Sequence, residues 1–164
     1  MKAIPHATQN DLPGKIRAQA VDLLKQQLAD ALELHLQAKQ AHWNVKGPQF
    51  IALHELFDKV AGEAEEMADD LAERAIALGG EAPGTARVVS RQTRLPEYPF
   101  PLSRGRDHVK ALSAALAAFG RTARQGIDQA ARLPDADTAD LFTEISRDID
   151  KLLWFVEAHQ QSDS

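Results

Sequence analysis

The chain has no cysteine. Disulfide frameworks, zinc ribbons and thiol chemistry are therefore excluded. Any metal must be held by His, Asp, Glu, carbonyls or water, a donor set that suits harder cations or iron rather than a thiolate site. No apolar run approaches membrane-spanning length. The stretch from Met1 to Gly14 contains Pro5 and Pro13 and lacks an apolar signal core, so a cytoplasmic location is the expectation, with nucleoid association as a variant of it. Positive charge is also in short supply. With 19 Lys and Arg against 24 Asp and Glu, the formal net charge is −5. That disfavours long-range attraction to nucleic acid or anionic membrane, while leaving room for a local basic patch. Strand signals are nearly missing too.

What is present is helical periodicity. The 164 residues suit one domain with a sizeable core. A polar, turn-rich arm over 1–14 is expected to be flexible. From Lys15, the apolar residues Ile16, Ala20, Leu23, Leu24, Leu28, Leu32 and Leu36 recur at helical spacing, predicting a helix over 15–44. Lys46-Gly47-Pro48 breaks it. A second helix is predicted over 49–78, with Phe50, Leu53, Leu56, Phe57, Val60, Met67, Leu71 and Ile76 as its apolar positions. Gly79-Gly80 stops it.

The segment 81–106 carries Pro83, Pro96, Pro99 and Pro101 and cannot be one helix, though a short turn of helix fits 85–90. A third long helix is predicted over 107–132; Gly120 and Gly126 weaken it without ending it. The fourth is predicted over 138–160, capped by Asp135 or Asp137, with Leu141, Ile145, Ile149, Leu152, Phe155 and Val156 inward. The tail 161–164 is short. The connections run short, long, short. The fold class is thus all-α: a ferritin-like four-helix bundle over 15–160, with a long crossover between helices two and three carrying a short extra helix. Topology alone equally admits a helical bundle with no metal.

One face of the second helix carries His54, Asp58, Gly62, Glu65, Asp69 and Glu73 at steps of three or four. Standing alone, such a stripe is more often a solvated face. His42 adds an imidazole near the end of helix one; alone, it would more often be structural. An intrabundle di-iron centre of the usual ferritin kind needs Glu-x-x-His. His35, His42, His54, His108 and His159 follow Leu32, Lys39, Ile51, Gly105 and Val156 at that spacing, so the motif is missing at each.

Asp58 and Asp69 lie eleven residues apart, about 16 Å along a helix. One ion, with ligands about 2 Å away, cannot bind both in a single straight helix. Eleven residues is close to three turns, so both face one way. Two copies of the helix crossing antiparallel would bring Asp58 to Asp69 and His54 to Glu73, about a midpoint between Glu63 and Ala64. Ala61, Gly62, Ala64 and Ala68 surround that point and are expected to let the helices approach. A two-fold contact creates two equivalent sites.

The run from Lys39 to Asp58, through His42-Trp43-Asn44 and Gly47-Pro48-Gln49-Phe50, resembles the signature of the Dps family of ferritin-like proteins. The stretches Met67 to Ala75 and Ser146 to Phe155 extend the likeness over nearly the whole chain. The resemblance implies a ferroxidase centre between two-fold-related subunits, with His42, His54 and Asp58 from one chain and Asp69 and Glu73 from its partner. It implies Fe(II) oxidised to Fe(III) by hydrogen peroxide, or more slowly by dioxygen, with ferric mineral stored in a dodecameric cage that protects DNA.

Carboxylates compensate iron's charge, and imidazole adds affinity for the ferrous ion. Trp43 is a candidate aromatic beside the centre, or a packing residue at the helix end. Lys39 is placed to pair with Asp58 and compete with metal, or else to be solvated. Acidic channels on the three-fold axes are implied, with Asp135, Asp137, Asp140 and Glu144 as candidates, although acids at a helix start also serve capping and the dipole.

Some relatives bind DNA through a lysine-rich arm. Here the arm offers Lys2 and Lys15 with Asp11 between them, and phosphate binding needs several cations. Arg87, Arg91, Arg94, Arg104, Arg106 and Lys110 form a basic region around the crossover that would gain from repetition on a cage. The alternative to an iron-storing enzyme is therefore a nucleoid-associated protein that binds DNA weakly and without sequence preference. A bundle with neither role is a third class.

Overall fold

A computed structural model describes residues 5–161 of the protein. The helices are α1 (Gly14–Asn44), α2 (Phe50–Ala77), α3 (Ala86–Gln92), α4 (Gly105–Ala130) and α5 (Ala136–Glu157), followed by a 3-10 turn, Ala158–Gln160. Leu24, Leu28, Ala31, Leu34, Ala38 and Ala41 of α1 are buried at steps of three and four. They meet Leu53, Phe57, Val60, Ala64 and Leu71 of α2 in a shared core with Leu112, Leu116 and Phe119 of α4 and Phe142, Ile145 and Ile149 of α5. Sequential helices joined by short turns pair as two hairpins, α1 with α2 and α4 with α5; α1 also lies on α4, and α2 on α5.

Residue chemistry sets the helix ends. Pro13 stands where its missing N–H costs nothing, and its carbonyl accepts from Ile16 and Arg17 at 2.8 and 3.0 Å. At the end of α2, Gly79 takes φ 83°, a left-handed conformation that glycine adopts without a Cβ clash. Gly79 N–H then donates to Ile76 O (2.8 Å) and Gly80 N–H to Ala75 O (2.9 Å), satisfying two terminal carbonyls. Gly126 stays inside α4: a Cβ there would fall 2.5 Å from the Phe142 ring, so the glycine lets α5 approach.

The crossover runs the length of the bundle. Lys46 N–H donates to Ser103 O (2.8 Å), so the chain returns to the end where α2 began, and α4 runs parallel to α2. Three α1 side chains hold the crossover down. Gln26 Nε2 donates to Gln92 O (2.7 Å), and Gln37 Nε2 to Pro96 O (2.9 Å). Asp30, fully buried, accepts from the Arg94 main chain at 2.6 Å and from its guanidinium at 2.6 and 2.8 Å.

Several details differ from the periodicity reading. The fourth long helix is α-helical only to Glu157, and its last residues tighten into the 3-10 turn. Leu36, Phe50 and Ile76 share helical spacing with core residues yet are exposed. Residues 5–13 of the expected arm are tied to the bundle. His6 N–H donates to Gly79 O (3.1 Å), and Arg17 bridges Leu12 O and Leu78 O. Residues 1–4, including Lys2, and 162–164 lie outside the described residues.

Candidate metal centre

Four of the predicted site residues come together at one end of the α1–α2 hairpin. His42 sits in the last turn of α1 and His54 in the second turn of α2. Their rings stack with centroids 3.7 Å apart and planes at 22°. Each ring is fixed by the other residue's backbone: His42 Nδ1 lies 2.8 Å from His54 O, and His54 Nδ1 lies 2.9 Å from His42 O. A carbonyl only accepts, so each Nδ1 must carry the hydrogen. In the neutral ring that leaves the Nε2 lone pair free to ligate. Carbonyl-fixed imidazoles are a common support for metal ligands, because the second hydrogen bond sets both tautomer and ring direction.

Asp58 lies one turn beyond His54 and is exposed. Lys39 Nζ sits 2.7 Å from Asp58 Oδ1, and His42 Nδ1 lies 3.9 Å from the same oxygen. The Lys39 hydrogen bond holds the Asp58 carboxyl below its ordinary value; desolvation pushes the other way, and the charge of Lys39 adds to the lowering. The group is thus kept ionised, as a ligand must be. Trp43 is 68% exposed, so it is not a packing residue in the single chain. Lys39 Nζ lies 5.8 Å from its ring centroid, within cation–π range.

Asp69 and Glu73 lie further along the same helix and are exposed. Asp69 borders a groove of about 600 Å³ between α1 and α2, with Leu28, Leu32, Gly62 and Glu65. Among the described residues, no group of three or more His, Asp or Glu side chains lies close enough to hold a metal ion. One chain stacks two imidazoles, holds Asp58 a turn away on Lys39, and leaves the other two acids apart.

The small residues of α2 divide. Ala61, Ala64 and Ala68 are buried in the chain's own core. Gly62 alone of the four is open, with nothing near the place of its missing Cβ.

The acids at the start of α5 also divide. Asp135 is the N-cap, accepting from Thr138 N–H at 3.2 Å and from the Thr138 hydroxyl at 2.6 Å. Its other partner is Arg74 Nη2 at 2.6 Å, and the residue is only 2% exposed. A buried carboxylate with three partners does not line a water-filled path, so Asp135 leaves the candidate set. Asp137, Asp140 and Glu144 face solvent. Arg94 likewise leaves the set of free cations, because buried Asp30 holds it.

Sequence reasoning passed over His108. It is 1% exposed, and its Nδ1 lies 2.6 Å from the Tyr98 hydroxyl. Burial pushes the His108 pKa down; the carbonyls of Leu102 and Asn44 and the charge of Asp107 pull it back, though no carbonyl meets hydrogen-bond geometry with Nε2. Burial also drives the Tyr98 hydroxyl upward. A histidine opening a helix gives no sequence signal that it is buried.

Two antiparallel hairpins joined by a bundle-length crossover, with metal-type side chains near the α1–α2 turn, define a ferritin-like protein. The ferritin-like domain profile matches residues 21–163. The chain is 43% identical over 159 residues to the DNA protection during starvation protein of Agrobacterium fabrum, covering 97% of this chain and 98% of that one. Among solved structures, it superposes on DpsA14 from Streptomyces coelicolor with TM-score 0.92 and 32% identity, covering 99% and 96% of the two chains. It superposes on Dps from Microbacterium arborescens, in a structure described as the high iron form, with TM-score 0.84 and 32% identity, covering 90% and 96%. The chain belongs to the Dps family of ferritin-like proteins.

Proposed function

We propose that this protein oxidises ferrous iron with hydrogen peroxide, or more slowly with dioxygen, at centres shared between two-fold-related copies, and stores the ferric product in a cage that protects DNA. Iron is the substrate and cargo. Two Fe(II) give one electron each to one H₂O₂, which takes up two protons and leaves as two waters. His42, His54 and Asp58 of one copy bind the ferrous ion; Asp69 and Glu73 of another copy complete the charge compensation. Lys39 occupies Asp58 until metal displaces it. Asp137, Asp140 and Glu144 are the remaining candidates for a path that admits iron. A dodecamer built from two-fold dimers is the proposed assembly.

The observation that carries this reading is the pair of crossed imidazole–carbonyl hydrogen bonds. They hold the hydrogens on Nδ1 and leave two Nε2 lone pairs for ligation, with the ionised Asp58 carboxylate 3.9 Å from His42 Nδ1, on a chain that supplies only part of a ligand set. Family membership supports the same reading, and so does the relative described in a high iron form.

Stopped-flow measurement of ferrous oxidation by peroxide tests the assignment. Asp58→Ala and His54→Ala should lose the rapid phase by about ten-fold or more each, as removal of a metal ligand or its support does, while still assembling. Unchanged kinetics would sink it. DNA binding as the main role has weaker support, because Arg94 is committed to Asp30 and the charge is net negative.

A further inference from the structure

A cleft of about 430 Å³ opens where the α1–α2 turn meets the start of α4. Lys46, Pro48 and Gln49 form one wall; Arg104, Gly105 and Arg106 form the other. The main-chain bond from Lys46 to Ser103 clamps the walls together. Three of the lining residues are cations, and none is an acid. All three cations are exposed, and among the described residues none is in an ion pair. Asp107, next in sequence, lines the neighbouring cavity with Tyr98 and Leu102 instead.

Three unpaired like charges gathered in one cleft repel one another, an electrostatic cost even in a chain of net charge −5. The local backbone raises it. Arg104 is the N-cap of α4 and makes no side-chain cap bond. Cations at a helix start oppose the helix dipole, which favours negative charge there. The N–H of Arg106, in the first turn of α4, has no backbone partner among the described residues. Guanidinium forks, an ammonium and a free N–H in one cleft are the donor set that takes a tetrahedral oxyanion. The volume falls in the range of small-molecule sites, about 300–1,000 Å³.

We propose that this cleft binds a phosphate-type oxyanion, either free inorganic phosphate or the phosphate of a small phosphorylated molecule. None of its residues is a proposed iron ligand, so the site stands or falls independently of the iron reading.

The test is calorimetric titration of the metal-free, full-length assembled protein at low ionic strength, with inorganic phosphate and, in parallel, with ribose 5-phosphate. Saturable binding is expected, weakened about ten-fold or more in Arg104→Gln/Arg106→Gln, since each charge-assisted hydrogen bond lost is worth about a factor of ten. Lys46→Gln leaves the main-chain clamp intact and should also weaken binding; it serves if the double variant does not assemble. Arg87→Gln/Arg91→Gln, on α3, should bind like the unaltered protein. Tighter ribose 5-phosphate binding identifies a phosphorylated molecule as ligand; tighter inorganic phosphate binding identifies the free anion. No saturable binding of either probe overturns the proposal, as does equal weakening in the α3 variant. Binding of a short DNA duplex at the cleft, with neither probe bound, overturns it in favour of a nucleic-acid backbone contact.

Discussion

His42 and His54 each donate to the other's carbonyl, so the rings are aimed before any metal arrives. Such preorganisation lowers the entropic cost of binding, because no rotamer search remains. Spacing along α2 made His54 and Asp58 legible as neighbours on one face, and the family signature brought in His42. The crossed bonds were not legible, because they depend on how the turn through Gly47 and Pro48 brings the two helix ends together.

His108 is the opposite case, a buried ring with no proposed part in the chemistry. Its pKa is lowered from 6.5 by burial, so the fold favours the neutral form. The unfolded chain then binds more protons below pH 6.5, and stability should decline as pH falls from there through the folded value. Melting temperatures between about pH 7.5 and 5 should drop less steeply in His108→Gln than in the unaltered protein. Parallel slopes would contradict this account of His108.

At the scale of elements, the crossover is the part most dependent on a few polar contacts. Asp30 is fully buried and accepts from the main chain and guanidinium of Arg94. Asp30→Ala leaves those donors without their partner. Breaking a buried ion pair costs about 3–5 kcal/mol. Arg94 keeps 38% of its side chain in solvent, so a loss of about 2–3 kcal/mol is expected. Denaturant unfolding measures the loss, and hydrogen exchange should rise first over 81–104. A change within about 0.5 kcal/mol, the scale of an ordinary surface substitution, would contradict this.

The long helices were legible because apolar steps of three and four over twenty or more residues have few other solutions. Asp30 was not, since an acid in a helix ordinarily marks the solvated face. The alanines of α2 are a related case: composition shows that a helix allows close approach, but not that Ala61, Ala64 and Ala68 are buried in the chain's own core.

At the scale of the whole molecule, the central claim is that the iron site belongs to two copies. One chain offers His42, His54 and Asp58 near the α1–α2 turn, and Asp69 and Glu73 about 16 Å or more further along α2. The direct test is complementation. His54→Ala subunits and Glu73→Ala subunits, each inactive alone, are unfolded and co-assembled in equal amounts, and rapid peroxide-driven ferrous oxidation is measured. In a mixed dimer, one site combines both defects, while the other combines His54 from one copy with Glu73 from the other and is intact. Random pairing makes half the dimers mixed, so about a quarter of the unaltered protein's activity should return. A co-assembled mixture no more active than the two separate variants would contradict the shared site.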